Sequence, residues 1–346
     1  MAYRISDIFT RLLLSFFLIF AATLVNAQQK ATPKSGEGIA AFLLRHNRSP
    51  KKYMDDFLEL NKSRLGRKQE LRLGVSYIIP PVKSGKSDSK SASVSKNNRK
   101  KTVYEPLFGK SNATVKIRSR RLEGACFYVV SGHGGPDPGA IGKSGKHELH
   151  EDEYAYDIAL RLARDLMEEG ADVHIIIQDA KDGIRNGSYL SNSKRETCMG
   201  DAIPLNQVAR LKQRCDKINS LYSSDRKRYS YCRAIFIHVD SRGKGKQMDV
   251  FFYNAQGSTL GKRLATTMKN TFEAKYDKHQ PNRGFSGTVS ERGLYVLGHT
   301  TPVSVFVELG NIQNQSDLRR LILSSNREAL AKWLKDGFIA DYNKSK

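Results

Sequence analysis

Four residues of this 346-residue chain could together carry out hydrolytic chemistry: His133, Glu151, His238 and Glu308. Two histidines and one glutamate are the donor set of a catalytic zinc site, which keeps a further position open for water. Zinc bound in this way polarises a scissile carbonyl and brings the pKa of water toward about 7. A separate carboxylate must then accept the water's proton and pass it to the leaving nitrogen. His133, Glu151 and His238 are read as metal ligands and Glu308 as the catalytic carboxylate. Glycines at 132, 134 and 135 let the backbone approach metal and substrate without Cβ clashes. A lone Gly-His-Gly-Gly is usually only a turn, and His147, His150, His174, His279 and His299 compete as ligands. The run His147-Glu148-Leu149-His150 could itself hold a metal, and Glu148 is the alternative to Glu151. The glycine-rich loop lacks the spacing and the lysine of a phosphate-cradling P-loop.

The grouping depends on elements that bring distant residues together. Cys126–Val130 is a short apolar run of β type, followed by a helix with Ala155, Ile158, Leu162 and Leu166 at 3–4 spacing that stops at Gly170. Strands are expected at 172–177, 234–237, 250–253 and 303–307. Helices are expected through Leu205–Ile218, Leu260–Phe272 and Leu318–Leu334. Apolar strands alternating with helices predict an α/β fold, a mostly parallel or mixed sheet flanked by helices. Ligands of such sheets gather outside the carboxyl ends of the strands. His133 follows the first strand, His238 follows Ile237, Glu308 follows Val307, and Glu151 opens the first helix on its inward face.

The remainder of the chain sets compartment and partners. Arg4 and Arg11 precede the apolar run Leu12–Val25 and a Val25-Asn26-Ala27 cleavage-type end, so residues 1–27 read as a signal peptide. As a helix that run would reach roughly 21 Å against a hydrocarbon core of about 30 Å, which argues against an integral membrane protein. The expectation is export to the periplasm or cell envelope. Residues 33–81 contain Gly36-Glu37-Gly38, two amphipathic stretches, Asn61 and a closing Gly74 to Pro80, and they resemble a LysM module. That resemblance implies a small α+β unit binding N-acetylglucosamine-containing glycans. Residues 82–103 are rich in Ser, Lys and Asn, and a basic flexible linker is read over 82–121, before a catalytic domain at 122–342. The formal charge of +23 suits a polyanionic wall. No basic helix, zinc finger or RNA-binding sheet accompanies it, so nucleic acid is not expected as a partner.

Gly132-His-Gly-Gly-Pro-Asp-Pro-Gly-Ala-Ile-Gly142, Glu151, Phe236-Ile-His-Val-Asp240 and Pro302 through Val307-Glu-Leu-Gly310 to Asn314 follow in order. Together they resemble the zinc-dependent N-acetylmuramoyl-L-alanine amidases of the amidase type 3 family, over residues 124–340. The resemblance implies zinc on His133, Glu151 and His238, catalysis by Glu308, and cleavage between N-acetylmuramic acid and L-alanine of peptidoglycan. It leaves room for an activator protein at the wall. Two departures, Val130-Ser131 before the Gly-His and Asp240 after the second His motif, bear on the surroundings of the ligands. A zinc peptidase or carboxypeptidase on stem peptides and an inactive wall-binding scaffold are the rival functions. In an exported chain Cys126, Cys198, Cys215 and Cys232 can pair in three ways or stay as buried thiols, and no C-x-x-C marks a cysteine zinc site. The polar stretch 182–204 reads either as a lid, pinned by Cys198–Cys215, or as a surface loop.

Overall fold

The structure, a computed structural model, describes residues 29–33, 38–46, 48, 50–66, 70–81, 102–240 and 247–346. The signal-peptide reading and the linker up to residue 101 lie outside the described residues. The chain divides into two units, Met1–Val94 and Ser95–Lys346.

In the first unit, strand β1 (Lys30–Ala31) is followed by helices α1 (Ile39–Arg45) and α2 (Pro50–Leu60). Strand β2 (Tyr77–Ile78) then pairs antiparallel with β1. Phe42, Leu43, Tyr53, Phe57 and Tyr77 form its core. The buried Asn61 side chain binds α2 to β2: it donates to the carbonyls of Phe57 and Ile78 at 2.9 and 2.8 Å and accepts from Ile78 N at 2.7 Å. The unit therefore starts ahead of residue 33, on a strand too short and polar to stand out in the sequence.

The second unit begins with a finding against the linker reading. Strands β3 (Thr102–Tyr104) and β4 (Thr114–Lys116) pair antiparallel, and Phe108 and Val115 are fully buried in the same cluster as Leu122 and Leu166. Residues 102–121 are thus an ordered part of the second unit. Their few apolar side chains are dispersed among basic ones, yet Val103, Leu107, Phe108 and Val115 all pack into the core.

Along the chain follow β5 (Ala125–Ser131), β6 (Ile141–Ser144), β7 (His147–His150), α3 (Glu151–Glu168), β8 (Asp172–Ile175), β9 (Ile177–Gln178), β10 (Thr197–Cys198) and β11 (Asp201–Ala202). Next come α4 (Gln207–Asp225), β12 (Tyr231–Asp240), β13 (Val250–Asn254), α5 (Thr259–His279), β14 (Gly287–Glu291) and α6 (Tyr295–His299). Strand β15 (Val303–Asn311), α7 (Gln315–Ile322) and α8 (Ser324–Asn343) complete the domain. The six-stranded sheet has the order β14-β13-β15-β12-β5-β8 and is parallel except between β13 and β15. This is the expected mixed α/β class. The edge strand β14 went unseen because Gly-Thr-Val-Ser-Glu is polar and half exposed.

Period-2 alternation sorts each central strand onto two faces. Phe127, Val129, Ile235, Ile237, Val305 and Val307 pack with α3, α5 and α8. Tyr128, Val130, Phe236 and Phe306 pack with residues of α4 and α6. Each such buried side chain contributes roughly 1.5–3 kcal/mol, enough in sum to fix the register on which the site depends.

Candidate active site

That register places two functional residues side by side. His238 on β12 is the Cα partner of Glu308 on the parallel β15. Each lies two residues beyond Phe236 and Phe306, so both project on the α4 face. The strands run on to Asp240 and Asn311, so these residues sit within the paired sheet rather than beyond its end. Phe306 stacks on the His238 ring at 4.3 Å and holds its plane.

Glu151 reaches the same place from the side. The β6–β7 hairpin, with Ile141 opposite His150, delivers the chain directly into α3. Glu151 is its first residue and only 4% exposed. Its carboxylate accepts from Ala140 N at 2.9 Å and Val239 N at 3.0 Å, which fixes both oxygens. Oε2 lies 3.2 Å from His133 Nε2, and Oε1 lies 3.0 Å from His238 Nδ1. His133, Glu151 and His238 each present one ligating atom within 4.8 Å of the others. Two imidazole nitrogens and a carboxylate oxygen converging in this way fit zinc.

His133 adopts a left-handed backbone, φ 57°, uncommon for a residue with a Cβ and typical of strained functional positions. Two glycines make room for the cluster. A Cβ at Gly132 would lie 2.3 Å from the His238 ring, and one at Gly139, which has φ 68°, would lie 2.7 Å from both Glu151 and His133. A Gly139→Ala variant is expected to fold with a displaced Glu151 and to bind zinc more weakly. Competition titration against a chromophoric chelator measures this.

The surroundings of His133 were not foreseen. Asp137 Oδ2 stands 2.9 Å from His133 Nδ1 and is held in turn by Arg210 of α4 at 2.5 Å and by Gly139 N through Oδ1. Arg214, buried on the same helix, donates to the His133 carbonyl at 2.8 Å. An imidazole whose outer nitrogen faces a carboxylate has its tautomer set, with Nε2 left to bind metal. Asp137 four residues after His133 was a readable signal. Nothing local marks Arg210 or Arg214. An Asp137→Asn variant is expected to weaken zinc binding by about 10–100-fold, read in the same titration, while the unfolding temperature changes little.

The electrostatics describe a slot for a cation. Burial disfavours charge on His133, but Asp137 and Glu151 outweigh it and push its pKa up to about 10. Burial likewise works against the Glu151 charge, and hydrogen bonds to His133 and His238 overcome it, holding the carboxyl well below the usual range. His238 is brought down, chiefly by burial.

These groups line a cleft of about 430 Å³ together with Glu308, Gln207 and Tyr295. Residues 127–340 match the Amidase_3 family, described as N-acetylmuramoyl-L-alanine amidase. The chain belongs to this family. The amidase is thereby a hydrolase acting on linear amide bonds. It is 26% identical over 234 residues to the germination-specific N-acetylmuramoyl-L-alanine amidase of Bacillus subtilis strain 168, covering 66% of this chain and 84% of the relative. Among solved structures it is similar to an N-acetylmuramoyl-L-alanine amidase from Clostridium difficile 630 (22% identity, TM-score 0.46, 65% of this chain and 99% of that one). Another is AmiC2 of Nostoc punctiforme (20% identity, TM-score 0.44, 65% and 99%).

The amidase's other candidates fall elsewhere. Glu148 on β7 has a 55% exposed side chain facing Lys143 and His150 at 3.8 Å, outside the cleft. His147 stacks on Tyr189, His279 on Trp333, and His299 bonds the Tyr295 carbonyl. All four cysteines are free buried thiols, so no Cys198–Cys215 bond pins the 182–204 stretch. That stretch is fastened otherwise. Arg185 pairs with Glu153, Leu190 enters the core, and Glu196 accepts from Gly135 N at 2.8 Å, supporting the His133 loop.

Proposed function

We propose that this amidase is an exported zinc enzyme that hydrolyses the amide joining the lactyl group of N-acetylmuramic acid to L-alanine in peptidoglycan. The observation that carries this reading is the convergence of His133, Glu151 and His238 in one cleft, with the Glu308 carboxylate in register beside His238. Zinc on those three residues would polarise the scissile carbonyl and lower the pKa of water. Glu308 accepts the proton of the attacking water and returns it to the L-alanine nitrogen as the C–N bond breaks. Glu151 is held by two backbone amides, and His133 is oriented by Asp137, so neither must reorganise during the reaction. Among the described residues no helix is long and apolar enough to cross a membrane. The first unit would bind wall glycan as a LysM module does.

Digestion of purified peptidoglycan with and without chelator tests the reading. Stem peptides beginning with L-alanine, released beside intact glycan strands in the zinc-loaded sample only, are the expected products. Shortened stems still attached to glycan would indicate a peptidase instead, and an absence of products from zinc-loaded protein a scaffold.

A further inference from the structure

At the opposite end of the sheet from the cleft, four elements bring another donor set together. Cys126 and Cys232 are Cα partners at the starts of β5 and β12, and their side chains share the α4 face with Tyr128. His174 on β8 is the Cα partner of Tyr128 and stacks on its ring. Asp225, the last residue of α4, closes the group. Its Oδ2 lies 2.9 Å from His174 Nε2, 2.9 Å from Tyr128 Oη and 3.6 Å from Cys126 Sγ. Cys232, in register with Cys126, points its Sγ at the Tyr229 carbonyl, 3.8 Å away. Cys126, His174 and Asp225 each present a ligating atom within 4.8 Å of the others.

We propose that Cys126, His174 and Asp225, joined by Cys232 once its thiol turns from the Tyr229 carbonyl, form a second, closed zinc site that ties the end of α4 to the starts of β5, β8 and β12. With bonds of about 2.3 Å to sulfur and about 2.0–2.1 Å to nitrogen and oxygen, ligand atoms of a tetrahedral site lie roughly 3.3–3.8 Å apart. The 3.6 Å between Cys126 and Asp225 already meets this, and the His174 contact need widen by only a few tenths of an ångström. Thiolates favour zinc over magnesium or calcium. The Tyr128 hydroxyl, donating to Asp225, would orient that carboxylate as an outer partner does. No C-x-x-C announces the site because its ligands come from four separate elements. With all four positions filled by protein, it would hold the fold and leave no place for substrate.

A disulfide is the competing chemistry. Neighbouring strands lie about 4.8 Å apart, within the Cα range that a Cys126–Cys232 bond tolerates. It would leave His174 and Asp225 without a part, whereas a cation uses all four groups.

Cobalt distinguishes these, since the catalytic cleft has no sulfur. The full metal-free chain, titrated with Co²⁺, is expected to bind two equivalents, one of them with a thiolate-to-cobalt charge-transfer band. Cys126→Ser/Cys232→Ser should lose that band and one equivalent while keeping amidase activity at moderate temperature. Asp225→Asn should lower affinity at the same band if the double variant does not fold. Glu151→Gln should lose the other equivalent and keep the band, so failure of the catalytic reading and failure of this one are separable. Absence of the band in the unaltered chain, or a Cys126–Cys232 disulfide mapped in protein isolated without reductant, would overturn the proposal.

Discussion

Replacing Glu308 by glutamine is expected to lower kcat/KM on peptidoglycan by about 10²–10⁴-fold, the range over which a positioned proton acceptor contributes. The change is nearly isosteric, and the backbone at 308 is held on both sides, opposite His238 in β12 and Phe251 in β13. The strand therefore has no reason to move. The carboxamide cannot take a proton from water, so the deficit should lie in kcat, with KM, zinc content and unfolding temperature near those of the unaltered enzyme. That combination separates a catalytic role from a structural one. Product release by mass analysis, read beside metal content, decides it: activity within tenfold of the unaltered enzyme would remove Glu308 from the mechanism. The adjoining arginine helix sharpens the expectation. Arg210 is engaged by Asp137 and Arg214 by the His133 carbonyl, and neither guanidinium can act as a base at neutral pH.

How much of this could be read without coordinates follows from which signals are local. His133, His238 and Glu308 were legible because each adjoins an apolar run that can only be a buried strand, and the carboxyl ends of such strands converge. The parallel registry of His238 with Glu308 is a pairing property, invisible in either strand alone. Glu151 was legible through helix phase, but the hairpin that delivers it, Ile141–His150, has an exposed polar sequence with no periodic signature. Asp137 lies in the glycine-rich stretch after His133, where only the folded loop turns it back onto Nδ1. Residues 102–121 misled for the reverse reason: composition averaged over a window hid Phe108 and Val115, two side chains whose complete burial decides the matter. The segment at 182–204 is polar, which in sequence suits a lid and a surface loop equally. Two of its charged side chains are engaged by the domain, Arg185 with Glu153 and Glu196 with Gly135 N.

Glu151 and Glu148 provide the second large contrast, because the sequence offered both as ligand and the structure treats them oppositely. Glu151→Gln is expected to reduce activity on the order of 10³-fold or more through loss of the catalytic metal. The carboxylate is buried against two imidazoles, and its charge offsets the His133 cation. An amide of the same shape removes one of the two carboxylates facing His133 and offers the metal only a neutral oxygen. Metal analysis should show one equivalent fewer per chain, and added zinc should restore little activity. Glu148→Gln removes a charge from a side chain 55% exposed, whose contacts to Lys143 and His150 are both 3.8 Å long. Contacts of that length in solvent contribute at most a few tenths of a kcal/mol, so activity, metal content and stability should stay as they are. Should Glu148→Gln instead strip the metal while Glu151→Gln keeps it, the ligand would be the strand residue and α3 would begin outside the site. The backbone argues against that outcome. Ala140 N and Val239 N both donate to the Glu151 carboxylate, and donors arranged around an anion at the helix start favour the ionised form that a divalent metal requires.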